Sequence, residues 1–217
     1  FAADTNVHKW HHYFDIYERH FSRFRDRPIK MLEIGVFRGG SLRMWKQDFH
    51  PDSIIVGIDV DPSCAAHEVA DEDVYVRIGS QGDPNFLAEI NGEFGPFDII
   101  LDDGSHKTHH QIISFGALFR EALNNDGCYM VEDVHTNYWL KHVDSPETFI
   151  EVAKQMIDML HEPYFDRIET RFRHGHEDAI QEADVSYLSA NLDGIYFHDS
   201  IVVFDKKRRA LPKNEQR

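Results

Sequence analysis

Two acidic blocks hold most of the residues that could do chemistry: Asp102-Asp103-Gly104-Ser105-His106 and Glu132-Asp133-Val134-His135. Each follows an apolar run, residues 97–101 and 127–131. Short runs rich in Ile, Leu and Val read as strands buried on both faces of a parallel sheet. In such a sheet ligands sit beyond the carboxyl ends of the strands. Four carboxylates then gather at the ends of two adjacent strands, where without compensation each would be costly to bury. Capping of the helices that follow accounts for one or two of them but poorly for all. A divalent cation is therefore expected. Oxygen ligands with retained waters suit Mg²⁺, whereas Zn²⁺ would draw on His and Cys, and Cys64 and Cys128 stand in no ligand-like cluster. This reading assigns Asp103, Glu132 and Asp133 to the metal and leaves Asp102 facing a cofactor. His106, three residues beyond Asp103, is the natural general base toward a hydroxyl acidified by the cation, with His135 the second choice.

The cofactor class follows from the segments upstream. Glu33-Ile34-Gly35-Val36-Phe37-Arg38-Gly39-Gly40-Ser41 is a glycine-rich strand-to-helix turn, in which Gly35 allows a tight bend and Gly39 and Gly40 allow close approach to free N–H groups. Asp59 ends the next apolar run 24 positions after Gly35, the distance at which an acid accepts hydrogen bonds from ribose hydroxyls. A nucleoside ligand is implied. The turn lacks the G-x-G-x-x-G cradle that a dinucleotide pyrophosphate needs. S-adenosylmethionine has ribose and adenine but no pyrophosphate, and its methionine end can be held by Glu33, Gly35, Gly39 and Ser41. Ser80 and Gln81, after the third strand, are placed to reach the adenine edge.

The elements that must position these residues alternate in type. Strands are expected at residues 29–36, 53–59, 74–78, 97–101 and 127–131, and helices at 41–49, 63–70 (weak), 84–90 and 108–123. This is a Rossmann-like, doubly wound α/β domain with a mostly parallel sheet. After a helix at 145–160, strands at 165–172 and 194–204 would pair as a late antiparallel β-hairpin. The polar stretch 174–193 is expected as a lid over the active face. At the other end, Val7, Trp10, Phe14, Tyr17, Phe21 and Phe24 form one stripe of an amphipathic helix that packs on the body, while His8, Lys9 and His12 lie off or beside that stripe, where the helix could present them to a cleft but a solvated face is the default. The organisation is thus a helical segment 1–28, a catalytic domain 29–206 and a charged tail from 207 to 217, with the basic run from Lys206 to Arg209 expected to fray.

Composition excludes several classes. With 23 Lys and Arg against 38 Asp and Glu, the formal net charge is −15, so a nucleic-acid partner is not expected. The sequence has no apolar run of membrane-spanning length and no leader-like N-terminus, which predicts a cytoplasmic protein without a membrane partner. The two Cys support neither a disulfide framework nor a zinc ribbon.

At MLEIGVFRGGSLRMW, IIVGIDVDP, FDIILDDGSHKTHHQIISF, GCYMVEDVHTNYW and IYFHDSIVVFDK the sequence resembles the class I, Mg²⁺-dependent S-adenosylmethionine O-methyltransferases that act on sugar hydroxyls. The matching stretches extend from about Met31 to Lys206. The resemblance implies a seven-stranded class I methyltransferase fold and a small-molecule or oligosaccharide acceptor. It also implies Asp103, Glu132 and Asp133 as metal ligands and His106 as base, in agreement with the spacing. By analogy Tyr138 and Trp139 are sugar-stacking residues. Macrolide-modifying members carry an additional N-terminal region used in assembly and in shaping the acceptor pocket, and here only the segment before Ile29 precedes the domain. A homo-oligomer is compatible with this pattern. Three other readings stay open: a catechol-like acceptor, a metal-dependent hydroxylase using His106, His135 and an acid, and a non-catalytic nucleoside-binding module.

Overall fold

The structure is a computed structural model that describes residues 6–165 and 185–210. Seven strands form one sheet: β1 (Lys30–Ile34), β2 (Ile54–Asp59), β3 (Val74–Ile78), β4 (Phe97–Asp102), β5 (Leu123–Val131), β6 (Leu192–His198) and β7 (Ile201–Lys206). Their order is β3-β2-β1-β4-β5-β7-β6. The first five strands run parallel, and β7 enters antiparallel between β5 and β6. The chain therefore has the doubly wound α/β architecture expected from its pattern, with the seven strands that the resemblance implies, and the order reverses between β1 and β4, where a ligand crevice belongs.

The helices are α1 (Tyr13–Phe21), α2 (Gly40–Asp48), α3 (Pro84–Phe94), α4 (Thr108–Glu121), α5 (Phe149–Gln155), α6 (Ile157–His161) and α7 (Tyr187–Asn191). Side chains alternate across each strand. Met31, Ile99, Leu101, Cys128 and Met130 face α1 and α2, where they meet Tyr17, Phe21, Leu42 and Trp45. Leu32, Ile34, Ile100, Tyr129 and Val131 face the opposite layer, packing with Leu87 of α3, Phe115 and Leu118 of α4 and Phe149 of α5. Both faces are covered, which is why these strands read as unbroken apolar runs rather than alternating ones.

Three expectations are corrected, and a fourth falls mostly outside the described residues. The N-terminal helix begins only at Tyr13, so Trp10 precedes it and is 56% exposed, while Tyr13, outside the expected stripe, is buried. The late hairpin lies inside what reads as one strand: Asp199 and Ser200 turn the chain between β6 and β7, with Ser200 at φ +67°. The dipeptide Asp-Ser lacks the glycine that usually marks such a turn. Of the expected lid, residues 174–184 lie outside the described residues, as does 166–172 of the expected strand. The described remainder becomes α7 and the start of β6, and Tyr187 Oη donates to the Arg120 carbonyl at the far end of α4, away from the acidic strand ends. The basic run does not fray: Lys206 is buried with its ammonium donating to the carbonyls of Phe119, Arg120 and Leu123, and the backbone N–H groups of Lys207, Arg208 and Arg209 are all bonded. Two carbonyls at the end of α4 and that of the first residue of β5 are satisfied by that one cation. No helix among the described residues is long and apolar enough to cross a membrane.

Candidate active site

Gly35 bends the chain out of β1 at φ +99°, a conformation that side chains disfavour. A Cβ there would stand 2.2 Å from the Asp103 carbonyl oxygen, so the absent side chain lets the turns after β1 and β4 touch. Asp59, closing β2, accepts from the N–H groups of Val36 and Phe37 with one oxygen and from Asp61 N–H with the other. Burial works to raise its pKa, and these N–H groups outweigh it, holding the carboxyl below its ordinary value.

Three cavities run along this edge of the sheet. The first is lined by Gly35, Asp59, Ser80, Gln81, Gly104 and Ser105. The second shares Gly35, Asp59 and Gly104 with it and continues past Ser41 to Asp103, His106 and Asp133. The third contains Lys9, Trp10, Tyr13, His106, His135 and Trp139. Asp103, His106 and Asp133 line both the second and the third, so the acidic strand ends stand where these two cavities meet.

Most sequence-expected residues fall in this tract, and several do so with a different role. Gly35, Ser41, Asp59, Ser80 and Gln81 line the first two cavities. Gly39 lines none of the three; a Cβ there would meet the His67 ring at 2.5 Å, so its glycine admits a neighbouring side chain rather than a ligand. Glu33 is fully buried and lines no cavity; Ser41 Oγ donates to one of its oxygens, while the other makes no hydrogen bond and lies 3.6 Å from Lys9 Nζ. Burial lifts its pKa to about 7, against the pull of the Lys9 charge.

Asp102 does not face the cofactor cavity. Its side chain shares the face of β4 with Ile100 and is 1% exposed, accepting from Gln81 Nε2 at 2.9 Å and Ser114 Oγ at 2.5 Å. Gln81 Oε1 in turn accepts from Ser105 N–H at 2.7 Å. Asp102 thus shapes the first cavity through Gln81.

The acids expected to bind metal are only partly brought together as ligands. Asp103, His106 and Asp133 each offer an atom within 4.8 Å of the others. The two carboxylates so placed offer the oxygen ligands that Mg²⁺ prefers, with the imidazole beside them. Glu132 is fully buried, and both its oxygens are engaged, one by Tyr17 Oη and the other by Lys9 Nζ at 2.7 Å. Burial raises its pKa, with Lys9 opposing. Lys9 Nζ also reaches Asp103 Oδ2 at 2.6 Å. Tyr13 Oη donates to Asp133 Oδ1. The three acids are therefore partnered from residues 9, 13 and 17, Glu132 by both Lys9 and Tyr17.

His106 and Asp133 both adopt left-handed backbone, at φ +57° and +53°, strained conformations of a kind that cluster at functional sites. Asn137 Nδ2 and Thr136 Oγ1 donate to the His106 carbonyl and hold that turn. His106 Nε2 lies 3.8 Å from Asp133, and its Nδ1 has no hydrogen-bond partner among the described residues. His135 lines only the third cavity, with Nδ1 engaged by Ser200 Oγ. Its ring meets Trp139 edge-on at 4.9 Å and Trp10 at 6.2 Å. Trp139 thus lines the third cavity as the analogy expects, and Tyr138, 63% exposed, does not.

Sequence reasoning left out Tyr13, gave Trp10 only a packing role, and placed Lys9 by default on a solvated face, whereas its side chain is 3% exposed among the acids. The available signal was the recurrence of Lys9, Tyr13 and Tyr17 every four residues, which puts three polar tips on one side of the segment.

Comparison with known proteins adds relatives along the same stretch. The chain is 32% identical over 214 residues to the 8-demethyl-8-(2-methoxy-alpha-L-rhamnosyl)-tetracenomycin-C 3'-O-methyltransferase of Streptomyces olivaceus, covering 93% of this chain and 50% of the relative. It is 32% identical over 205 residues to the mycinamicin VI 2''-O-methyltransferase of Micromonospora griseorubida, covering 88% and 47%. Among solved structures it matches the MycE methyltransferase of the mycinamycin biosynthetic pathway, in complex with Mg, SAH and mycinamycin VI, with a TM-score of 0.77 and 30% identity over 93% of this chain and 50% of that one. The chain spans about half the length of these relatives. No protein-family model matches it.

Proposed function

The chain is homologous to the sugar O-methyltransferases of glycosylated natural products and has their class I fold, and from that premise we propose that it transfers a methyl group from S-adenosylmethionine to a sugar hydroxyl with the aid of Mg²⁺. The observation that carries the reading is the shared wall of the second and third cavities. Asp103, His106 and Asp133 stand between a crevice of nucleoside type and an opening flanked by Trp10 and Trp139. Aromatic faces with polar neighbours suit a sugar ring, which offers C–H groups on one side and hydroxyls on the other.

In this reading Ser80 and Gln81 border the adenine, Asp59 accepts from the ribose, and Gly35 and Ser41 border the methionine end. Asp103 and Asp133 hold the cation, and Glu132, engaged by Lys9 and Tyr17 in this structure, is the third carboxylate of the set. A divalent cation there supplies positive charge that makes an acceptor hydroxyl more acidic. His106 takes the hydroxyl proton, and the Asp133 carboxylate offers the resulting imidazolium a counter-charge 3.8 Å away. The rest of the rate gain comes from alignment of oxygen, methyl carbon and sulfur. His106 is preferred to His135 as base because it lines both cavities, whereas His135 lines only the third and its Nδ1 is engaged by Ser200.

The test is product detection by mass spectrometry with S-adenosylmethionine and a panel of glycosides and catechols, with and without chelator. Methylated glycoside is expected, with turnover lost in chelator. His106→Ala is expected to lose turnover by roughly 10² to 10⁴ while retaining SAH binding in calorimetry. Methylation of catechols alone would move the acceptor class, full activity in chelator would remove the metal, and cofactor binding without any turnover would leave a nucleoside-binding module.

A further inference from the structure

Lys9 sits where the sequence argument places a cation. Its side chain is 3% exposed, and its ammonium lies 2.6 Å from Asp103 Oδ2, 2.7 Å from Glu132 Oε2 and 3.6 Å from Glu33 Oε1. Burial alone would drive such an ammonium to its neutral form, and the facing charges of Asp103, Glu132 and Glu33 overcome this and keep it protonated. Tyr13 and Tyr17, from the same segment, donate to Asp133 and Glu132. His8 and Lys9 also line both the second and the third cavity. Residues 6–12 therefore run across the junction between the cofactor crevice and the acceptor opening, with one positive charge inserted among the acids.

We propose that Lys9 is a resident counter-cation of the acid cluster and that a divalent ion gains Asp103 and Glu132 by displacing its ammonium, so that metal binding and release of residues 6–12 are a single event. The inference rests on the metal site of the proposed function and goes beyond it by naming the group the metal replaces. With Lys9 in place the two carboxylates share one charge and Glu132 has no oxygen free; with Lys9 withdrawn they join Asp133 as the three-carboxylate set. Because His8, Lys9, Trp10 and Tyr13 also wall the acceptor opening, exchange at the metal site reshapes the surface that meets the acceptor. A cation that binds only the released form has its apparent affinity reduced by the fraction of molecules in that form.

The experiment is Mn²⁺ titration followed by electron paramagnetic resonance on the wild-type chain and on Lys9→Met, which keeps the length of the side chain and removes its charge. The expected result is Mn²⁺ binding tighter by roughly tenfold in Lys9→Met, corresponding to a released population of about a tenth in the wild type. A second measurement needs no variant: hydrogen exchange of the wild-type chain should show faster exchange at residues 6–12 in saturating Mg²⁺ than in chelator. Equal or weaker Mn²⁺ affinity in a folded Lys9→Met, or unchanged protection of residues 6–12, overturns the exchange and leaves the metal site standing. Absence of Mn²⁺ binding to both proteins overturns the metal site and the exchange together.

Discussion

Replacing Asp102 by Ala separates a residue that shapes the cofactor cavity through a neighbour from one that touches the cofactor. Asp102 accepts from Gln81 Nε2 and Ser114 Oγ in a site that is 1% exposed. Hydrogen bonds to a charged group contribute roughly 1.5 to 3 kcal/mol each. Part of that gain is offset by the cost of burying the carboxylate, which here shows as a pKa raised by burial against the Ser114 and Gln81 bonds. The net expectation is a destabilisation of about 2 to 4 kcal/mol, or on the order of 10 °C in Tm for a chain of this size. The loss should extend to the cofactor, because Gln81 then keeps only the Ser105 N–H at 2.7 Å and a long contact of its Nε2 with Ser114 Oγ at 3.4 Å to orient it. Chemical denaturation and SAH calorimetry on Asp102→Ala, Gln81→Ala and the double variant measure both effects. A coupling of about 1 kcal/mol or more between the two substitutions is expected in each measurement. Asp102→Asn should recover part of both, since an amide oxygen still accepts from Gln81. Additivity within about 0.5 kcal/mol, or a loss of SAH binding in Asp102→Asn without loss of stability, would refute the reasoning and return Asp102 to the cofactor wall.

Two further outcomes follow from geometry remote from that network. Gly35→Ala combines a disfavoured φ of +99° with a Cβ 2.2 Å from the Asp103 carbonyl oxygen, so the turn carrying Asp103 must shift. Lower Tm together with at least roughly tenfold weaker SAH and Mn²⁺ binding is expected, and wild-type values for both ligands would show that the two turns do not need their close approach. His20 is 6% exposed, with Nε2 2.9 Å from His198 Nε2, and burial, followed by the charges of His198, Arg23 and Arg19, lowers its pKa to about 4. Above pH 6.5 neither the folded nor the unfolded imidazole carries a proton, and as the pH falls toward 4 only the unfolded state gains one, so stability declines through that window and levels below it. Between pH 7 and pH 5 this group should cost about 2 kcal/mol, and urea denaturation of His20→Leu at the two pH values should show a pH dependence smaller by that amount. An undiminished dependence would clear His20.

How much of this molecule was legible from sequence depends on how local each signal is. The five parallel strands were, because each is a compact apolar run closed by a turn-forming or acidic residue. The antiparallel pair was not resolved correctly, because Asp199 and Ser200 interrupt no apolar periodicity and carry no glycine, so β6 and β7 read as one strand. The acids were recognised as a group but sorted imperfectly. Their sorting is set by strand parity, a period of two that the sequence does contain. Glu33 follows Met31, and Glu132 follows Cys128 and Met130, all on the α1 side of the sheet; Asp102 follows Ile100 on the α4 side. Parity therefore sends Asp102 toward Ser114 and Gln81, and sends Glu33 and Glu132 toward the N-terminal segment.

The same parity makes sense of Tyr17, which looked like packing, and of Lys9, which looked like solvated surface. A helix that only fills a core would be expected to present apolar tips, as Phe21 and Phe24 do. Lys9, Tyr13 and Tyr17 instead bring an ammonium and two hydroxyls to the side of the sheet where two buried carboxylates end their strands. A polar tip in an otherwise apolar stripe is costly unless a partner awaits it, and Glu132 awaits Tyr17 and Lys9 across more than a hundred residues of sequence. The pairing could not be inferred from either segment alone. It required knowing which face of the sheet the acids occupy, and once that face is fixed, the four-residue recurrence at positions 9, 13 and 17 reads as the inner surface of the site rather than as the outside of a helix.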